Sequence, residues 1–229
     1  MTEIQVTRLT AVGDLNCPFC YTLNEWLNEF GYGNSVDLWG IDHMPGLTRE
    51  KAATQEAQDV LKSEFDRVNE KLCGEVTLIL PRRRPSSTLA LATLTRIAAT
   101  EPPERVAEAR QRLYRALWHK GLDFSDPEVI SDVLNDYDLG DLSSMEDEYS
   151  VVRERTATWK NFGIDLIPAI IAPTGLSSIT RNAGKPMFQN TLPWASSTCS
   201  FSASSMDFCH FALISLALSQ TSKGLVSHL

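Results

Sequence analysis

Asp14-Leu15-Asn16-Cys17-Pro18-Phe19-Cys20-Tyr21 is the stretch on which the reading of this chain turns. From Cys20 onward, Leu23, Leu27 and Phe30 recur at helical spacing, and Gly31 and Gly33 supply a C-terminal stop, so the spacing predicts a helix over 18–30. Cys17 then falls on the cap and Pro18 on the first helical position, where a missing N–H wastes no bond. Only a thiolate attacks a disulfide, and a helix N-terminus favours one: the free N–H groups of Phe19 and Cys20 are expected to point at the Cys17 sulfur. The helix dipole adds about 0.3–1 kcal/mol, where about 1.4 kcal/mol lowers a pKa by one unit. Cys20, one turn along, faces inward beside Leu23 and Leu27, close enough to close a ring with Cys17. Cys17 is therefore expected to be the exposed nucleophile and Cys20 the resolving thiol. Phe19 offers the thiolate no side-chain hydrogen bond, whereas a His there would, and a less oxidising pair follows.

Working outward, Ile4, Val6 and Leu9 to Val12 give a strand over 4–12, and Val36, Leu38 and Ile41 alternate as a second. Strand, helix and strand within the first ~45 residues is the βαβ arrangement of a parallel pair. Farther along, Ala53 to Leu72 carries a long amphipathic pattern, and Pro85-Ser86-Ser87 opens a helix that runs toward Ile97. Pro102-Pro103 and Lys120-Gly121 bracket another, Asp126-Pro127 starts one more, and Tyr149, Val152, Thr156 and Trp159 predict a helix ending at Gly163. Ala169 to Ala172 reads as a short buried strand closed by Pro173-Thr174-Gly175. The order is βαβ, a helical block of roughly 100 residues, then helix and strand. Ser, Thr and Asn dominate 190–205, and the apolar run Phe208 to Leu218 suits a terminal helix but falls short of the ~20 residues that a membrane span needs.

The chain has 229 residues, 43% hydrophobic and 22% charged, enough for a substantial core. Its net charge of −8 argues against nucleic-acid or anionic-membrane partners, which require a basic surface. No basic start followed by an apolar stretch marks a signal peptide, so the expected compartment is the cytoplasm. In a reducing compartment a close Cys-x-x-Cys points to redox or metal chemistry rather than a disulfide framework. Zinc wants four ligands, and Cys73, Cys199, Cys209, His43, His119, His210 and His228 offer no second short pair beyond the badly placed Cys209-His210. No metal is expected, and Cys73, Cys199 and Cys209 read as packed or free thiols.

Several other features have plainer readings. His43 follows the second strand, a place open to the active site, but a lone His is more often a surface or core-edge residue. Arg82-Arg83-Arg84 reads as a solvated charge run. The acidic positions Asp136, Asp138, Asp141, Glu146, Asp147 and Glu148 lack calcium-loop spacing and read as a solvated loop. Asp14, three residues before Cys17, either raises the thiolate pKa or relays protons, depending on its distance.

The cysteine octapeptide, Trp39 leading to Met44-Pro45-Gly46, Arg112-Leu113-Tyr114-Arg115-Ala116-Leu117-Trp118 and Gly163-Ile164-Asp165-Leu166-Ile167-Pro168-Ala169 together resemble the DsbA-like thioredoxin-fold family, especially its cytosolic FrnE-like branch. The match covers roughly residues 4–175. It implies an α/β thioredoxin-like fold over residues 1–48 and 149–229, with a large helical insertion at 49–148. It implies a thiol–disulfide oxidoreductase exchanging disulfides through Cys17 and Cys20, with Pro18, Phe19, Ile167 and Pro168 at the substrate. The proline at the position of Pro168 is cis in that family, and the backbone of the residue before it pairs with substrate. No cofactor is implied, although glutathione is admitted as a redox partner. Partners are protein or small-molecule disulfides and thiols, and a homodimer is left open. Two other functions stay in view: a thioredoxin-fold protein that binds a peptide or partner, and a glutathione-dependent isomerase or transferase of the 2-hydroxychromene-2-carboxylate isomerase type. Relatives of the latter kind carry Ser at the first cysteine; here both cysteines are present, and dithiol exchange is preferred.

Overall fold

The computed structural model describes residues 7–72, 76–163 and 166–171. The expected strand and helix of 176–229, the lone cysteines Cys73, Cys199 and Cys209, and Ile4 and Val6 lie outside them. The chain divides into a unit of Thr10–Ala169 and a unit of Met1–Leu9 with Ile170–Leu229. Only residues 7–9 and 170–171 of the second are described.

Strand β1 (Leu9–Gly13) leads into helix α1 (Pro18–Glu29), and a short 3-10 turn at Gly33–Ser35 delivers the chain to β2 (Val36–Gly40). Six further helices follow, α2 (Arg49–Ala52), α3 (Gln55–Leu72), α4 (Thr88–Thr100), α5 (Pro103–Trp118), α6 (Pro127–Val133) and α7 (Glu146–Asn161), and then β3 (Ala169–Ile171). The strands order as β2-β1-β3, which puts β1 in the middle. All five residues of β1 are buried, as befits a strand with a neighbour on either side. The first strand is shorter than its apolar pattern suggested: Thr7 and Arg8 form a bend. In β3, only Ile171 is fully buried, while Ala169 and Ile170 are half-buried, so the run is less enclosed than its composition implied.

The local chemistry of the helix ends accounts for their positions. Pro103 and Pro127 occupy first-turn positions, and Asp126 caps α6 by accepting from the Glu128 N–H at 2.9 Å. Gly31, Gly121 and Gly163 take positive φ just beyond α1, α5 and α7, a conformation that costs glycine nothing. Leu61 and Val68 of α3, Leu91, Leu94 and Ile97 of α4, and Leu113, Tyr114, Leu117 and Trp118 of α5 share one core with Leu15, Cys17, Cys20 and Tyr21. The two cysteines are thus built into the same packing that holds the helices together. Arg110 is buried in this interior and donates to Asn24 Oδ1 at 2.8 Å, to the Val36 carbonyl at 2.7 Å and to the Gly33 carbonyl at 2.9 Å, tying α5 to α1 and to the start of β2. Among the described residues, no helix is long and apolar enough to cross a membrane.

Candidate active site

Cys17 is the N-cap of α1, in extended geometry with φ −99° and ψ 120°, and Pro18 holds the first helical position. Its N–H donates to the Asp14 carbonyl at 3.2 Å while its own carbonyl accepts from the Tyr21 N–H at 3.1 Å, so a tight turn runs directly into the helix. Two side chains of α5 and one of the turn itself clamp it. The Trp118 indole N–H donates to the Leu15 carbonyl at 2.9 Å, the Tyr114 hydroxyl to the Asp14 carbonyl at 3.4 Å, and the Asn16 amide to the Pro85 carbonyl at 3.2 Å. The segment Arg112–Trp118 thus supplies two of the three bonds that hold the cysteine loop.

Both sulfurs are free thiols, and they interact with one another. Burial pushes the Cys17 thiol up, but the hydrogen bond from the Cys20 thiol, the charge of His43 and the Cys20 N–H outweigh it, so its pKa lies below the ordinary value. Cys20 moves the other way: burial, the hydrogen bond that it gives to Cys17 and the Cys17 charge all raise its pKa well above the ordinary value. Of the two N–H groups expected to face the Cys17 sulfur, that of Cys20 acts on it and lowers its pKa, although Cys17 makes no side-chain capping bond. Cys17 is buried, at 4% exposure, rather than exposed as expected, because it belongs to the core cluster and has Phe19 and Ile167 packed around that cluster.

The Ile167–Pro168 peptide bond is cis, as the resemblance implied. Pro168 joins Cys20, Gly13, Leu38 and Tyr114 around a cavity of about 10 Å³, the space of a single water. At Gly13 a Cβ would sit 3.0 Å from Cys20 Sγ, so any side chain at the end of β1 requires the resolving thiol to give way by a few tenths of an ångström. Phe19, between the cysteines, is half-buried and lies under the Arg67 guanidinium of α3, 5.9 Å from the ring centroid.

The residue missed by sequence reasoning is His43. Its Nδ1 lies 2.6 Å from Asp14 Oδ2, and its backbone N–H donates to the same oxygen at 2.9 Å. Asp14 is fully buried, and its other oxygen accepts from the Asn16 N–H at 3.2 Å. Burial alone would lower the His43 pKa, but the hydrogen bond and charge of Asp14, with the charge of Cys17, raise it on balance. The loop carrying His43 is itself held: the Asp42 N–H donates to Thr156 Oγ1 of α7 at 3.0 Å, and Asp42 Oδ2 accepts from Thr88 Oγ1 at 2.9 Å. Burial and the nearby Asp14 charge raise the Asp42 pKa. No local motif in the sequence signals these pairings.

The arginine run is not solvated as a whole. Arg84 is buried at 4% exposure, pairs with Glu64 at 2.5 Å and meets the Met44 sulfur, while Arg83 pairs with Asp123 at 2.7 Å. The acidic stretch likewise contributes structure: Asp136 takes Arg105 and Arg112, and Glu148 takes Arg96. Among the described residues, no group of three or more His, Cys, Asp or Glu side chains is arranged to hold a metal.

A structure from Nitrosomonas europaea, a proposed protein disulfide isomerase, superposes with a TM-score of 0.54 at 15% identity over 71% of this chain and 82% of that one. The two share a fold, the α/β thioredoxin-like fold with a large helical insertion. Looser likenesses are to 2-hydroxychromene-2-carboxylate isomerase (TM-score 0.47, 17% identity, 71% of this chain and 84% of that one). The cytosolic disulfide reductase DsbM of Pseudomonas aeruginosa, solved with glutathione, gives a TM-score of 0.47 at 14% identity over 74% of this chain and 89% of that one. No family model matches the chain, and no curated protein matches its sequence.

Proposed function

We propose that this chain is a thiol–disulfide oxidoreductase in which Cys17 attacks and Cys20 resolves. The observation that carries the reading is the placing of two free thiols in the first turn of α1, Cys17 as its N-cap and Cys20 one turn on beside Pro168; the lowered pKa of the cap thiol and the raised pKa of its neighbour agree with it. The Cys17 thiolate attacks one sulfur of a substrate disulfide, that S–S bond breaks, and the first substrate sulfur leaves as a thiolate. Cys20 then loses its proton and attacks the Cys17 sulfur, expelling the second substrate thiolate and leaving a Cys17–Cys20 disulfide. Two electrons pass from the dithiol to the substrate, and the reverse sequence oxidises a substrate dithiol. Two molecules of a small thiol such as glutathione return the pair to its reduced form and leave joined as their own disulfide, and the scheme uses no bound cofactor. Phe19, Ile167 and the cis Pro168 form the surface against which the substrate chain lies.

Disulfide exchange with an insulin-type substrate and with glutathione disulfide, measured for the native chain, Cys17→Ser and Cys20→Ser, tests this. Exchange is lost in Cys17→Ser, and a mixed disulfide at Cys17 accumulates in Cys20→Ser. Equal rates in the native chain and Cys17→Ser overturn the proposal.

A further inference from the structure

The pairing of His43 with Asp14 has no role in the exchange steps just described, yet it stands beside them. Asp14 supplies its carbonyl to the Cys17 N–H and its carboxylate to His43, so one buried residue links the loop after β2 to the turn that carries the nucleophile. With Nδ1 and the backbone N–H both directed at Oδ2, the imidazole is fixed in orientation, and Nε2 is left as the nitrogen that gains and loses a proton. The His43 side chain keeps 24% exposure, which gives that proton a route to solvent. The charged and titratable groups that act on His43 are Asp14, Cys17, Arg84 and Asp42; Glu64 of α3 acts on Cys17 and is itself paired with Arg84.

We infer that His43 is a positioning residue for Cys17: anchored on the carboxylate of Asp14, whose carbonyl holds the Cys17 N–H, it sets a cation beside the turn that carries the nucleophile, and its protonation is linked to the redox state of the cysteine pair. The inference rests on the dithiol reading above. A thiolate at Cys17 and an imidazolium at His43 favour one another, and linkage makes that favour mutual. When Cys17 enters a disulfide its negative charge disappears, because its sulfur now shares a bond with Cys20. His43 then loses one of the two anions that hold its proton and keeps Asp14 alone. Oxidation should therefore release part of a proton from His43 to solvent, and reduction should take it back.

Two measurements test this, and neither needs disulfide turnover, so they separate failure of the inference from failure of the exchange reading. In the first, iodoacetamide labels the reduced native chain, His43→Asn and His43→Lys across pH 5–9, and fragmentation assigns the label to Cys17. His43→Asn retains a donor for Asp14 but no charge, and slows Cys17 labelling about three- to tenfold near pH 6.5, with a profile displaced to higher pH. His43→Lys restores a cation and recovers part of the rate. A His43→Asn profile that superimposes on the native one overturns the inference. In the second, the His43 ring is titrated by NMR in the dithiol and disulfide forms of the native chain. A lower midpoint in the disulfide form supports the linkage, and identical midpoints overturn it.

Discussion

His43 and Asp14, separated by 29 positions in sequence, share a single carboxylate oxygen, which accepts from both the backbone N–H and the imidazole Nδ1 of His43. The consequence for stability has a definite sign. Asp14 holds the His43 proton more firmly in the native state than in the unfolded chain, where the ordinary value is about 6.5. The stabilisation is thus complete below that value and is lost as pH rises through the higher native value. Urea midpoints taken in a Cys17→Ser, Cys20→Ser background, where neither thiol titrates, should fall from pH 6 to pH 8.5 by more than they do in the same background with His43→Asn. Parallel pH profiles for the two would show that the pair adds no proton-linked stability.

The two thiols differ in the ease with which they ionise, and brief exposure to a small alkylating agent should reveal it. At pH 7 the reduced chain is expected to be labelled at Cys17 before Cys20, because Cys17 is lowered while Cys20 is raised. Mass spectrometry of partly labelled protein reads the order. Preferential labelling of Cys20 would reverse the assignment of attacking and resolving sulfurs.

Gly13 is the contact between β1 and the resolving thiol. In Gly13→Ala the new methyl would lie 3.0 Å from Cys20 Sγ, 3.4 Å from its Cβ and 3.7 Å from Leu38 Cδ1. Overpacking of this kind costs about 1–3 kcal/mol. Denaturant unfolding should show a loss in that range, and the displaced Cys20 should resolve a Cys17 mixed disulfide more slowly than native. Unchanged stability would mean that α1 can yield without penalty.

Arg110 satisfies two backbone carbonyls and one amide oxygen in the interior. Arg110→Met fills much the same volume but leaves those acceptors without this donor, at a cost of about 1–3 kcal/mol for a buried polar group left unpaired. Urea unfolding should therefore register a drop of at least that size, larger than for Arg153→Met, whose ion pair with Glu146 lies at the surface. Equal effects would contradict the role of Arg110 in joining α5 to α1.

The contrast between these arginines indicates what sequence alone could reveal. Features set by near neighbours were legible: the cap at Cys17, Pro18 at the first turn of α1, the double proline before α5, and Asp126 ahead of α6 all follow from local backbone chemistry. The βαβ start and the helical succession came from the same source. Features set by distant partners were not. Arg84 looked solvated because its counter-charge, Glu64, stands 20 positions away, and His43 looked incidental because its partner belongs to a different loop. Cys17 was expected at the surface because Cys20, one turn along, takes the inward position, whereas both sulfurs join one buried cluster here. No periodicity encodes which side chain will meet which across a core, so the cysteine pair could be read from the chain while the groups that tune it could not.

The hydrogen bond from the Trp118 indole to the Leu15 carbonyl, two residues from Cys17, has an optical consequence. Trp118 is fully buried and stacks on Tyr21, the residue after Cys20, with ring centroids 6.5 Å apart. A chromophore so placed is expected to sense what happens at the sulfurs, because a bond between them removes the thiolate charge near the indole and its stacking partner. The protein thereby carries an intrinsic fluorescence signal of its own oxidation state, expected to change on passing from dithiol to disulfide and to be largely lost in Trp118→Phe, although Trp26, Trp39, Trp159 and Trp194 remain.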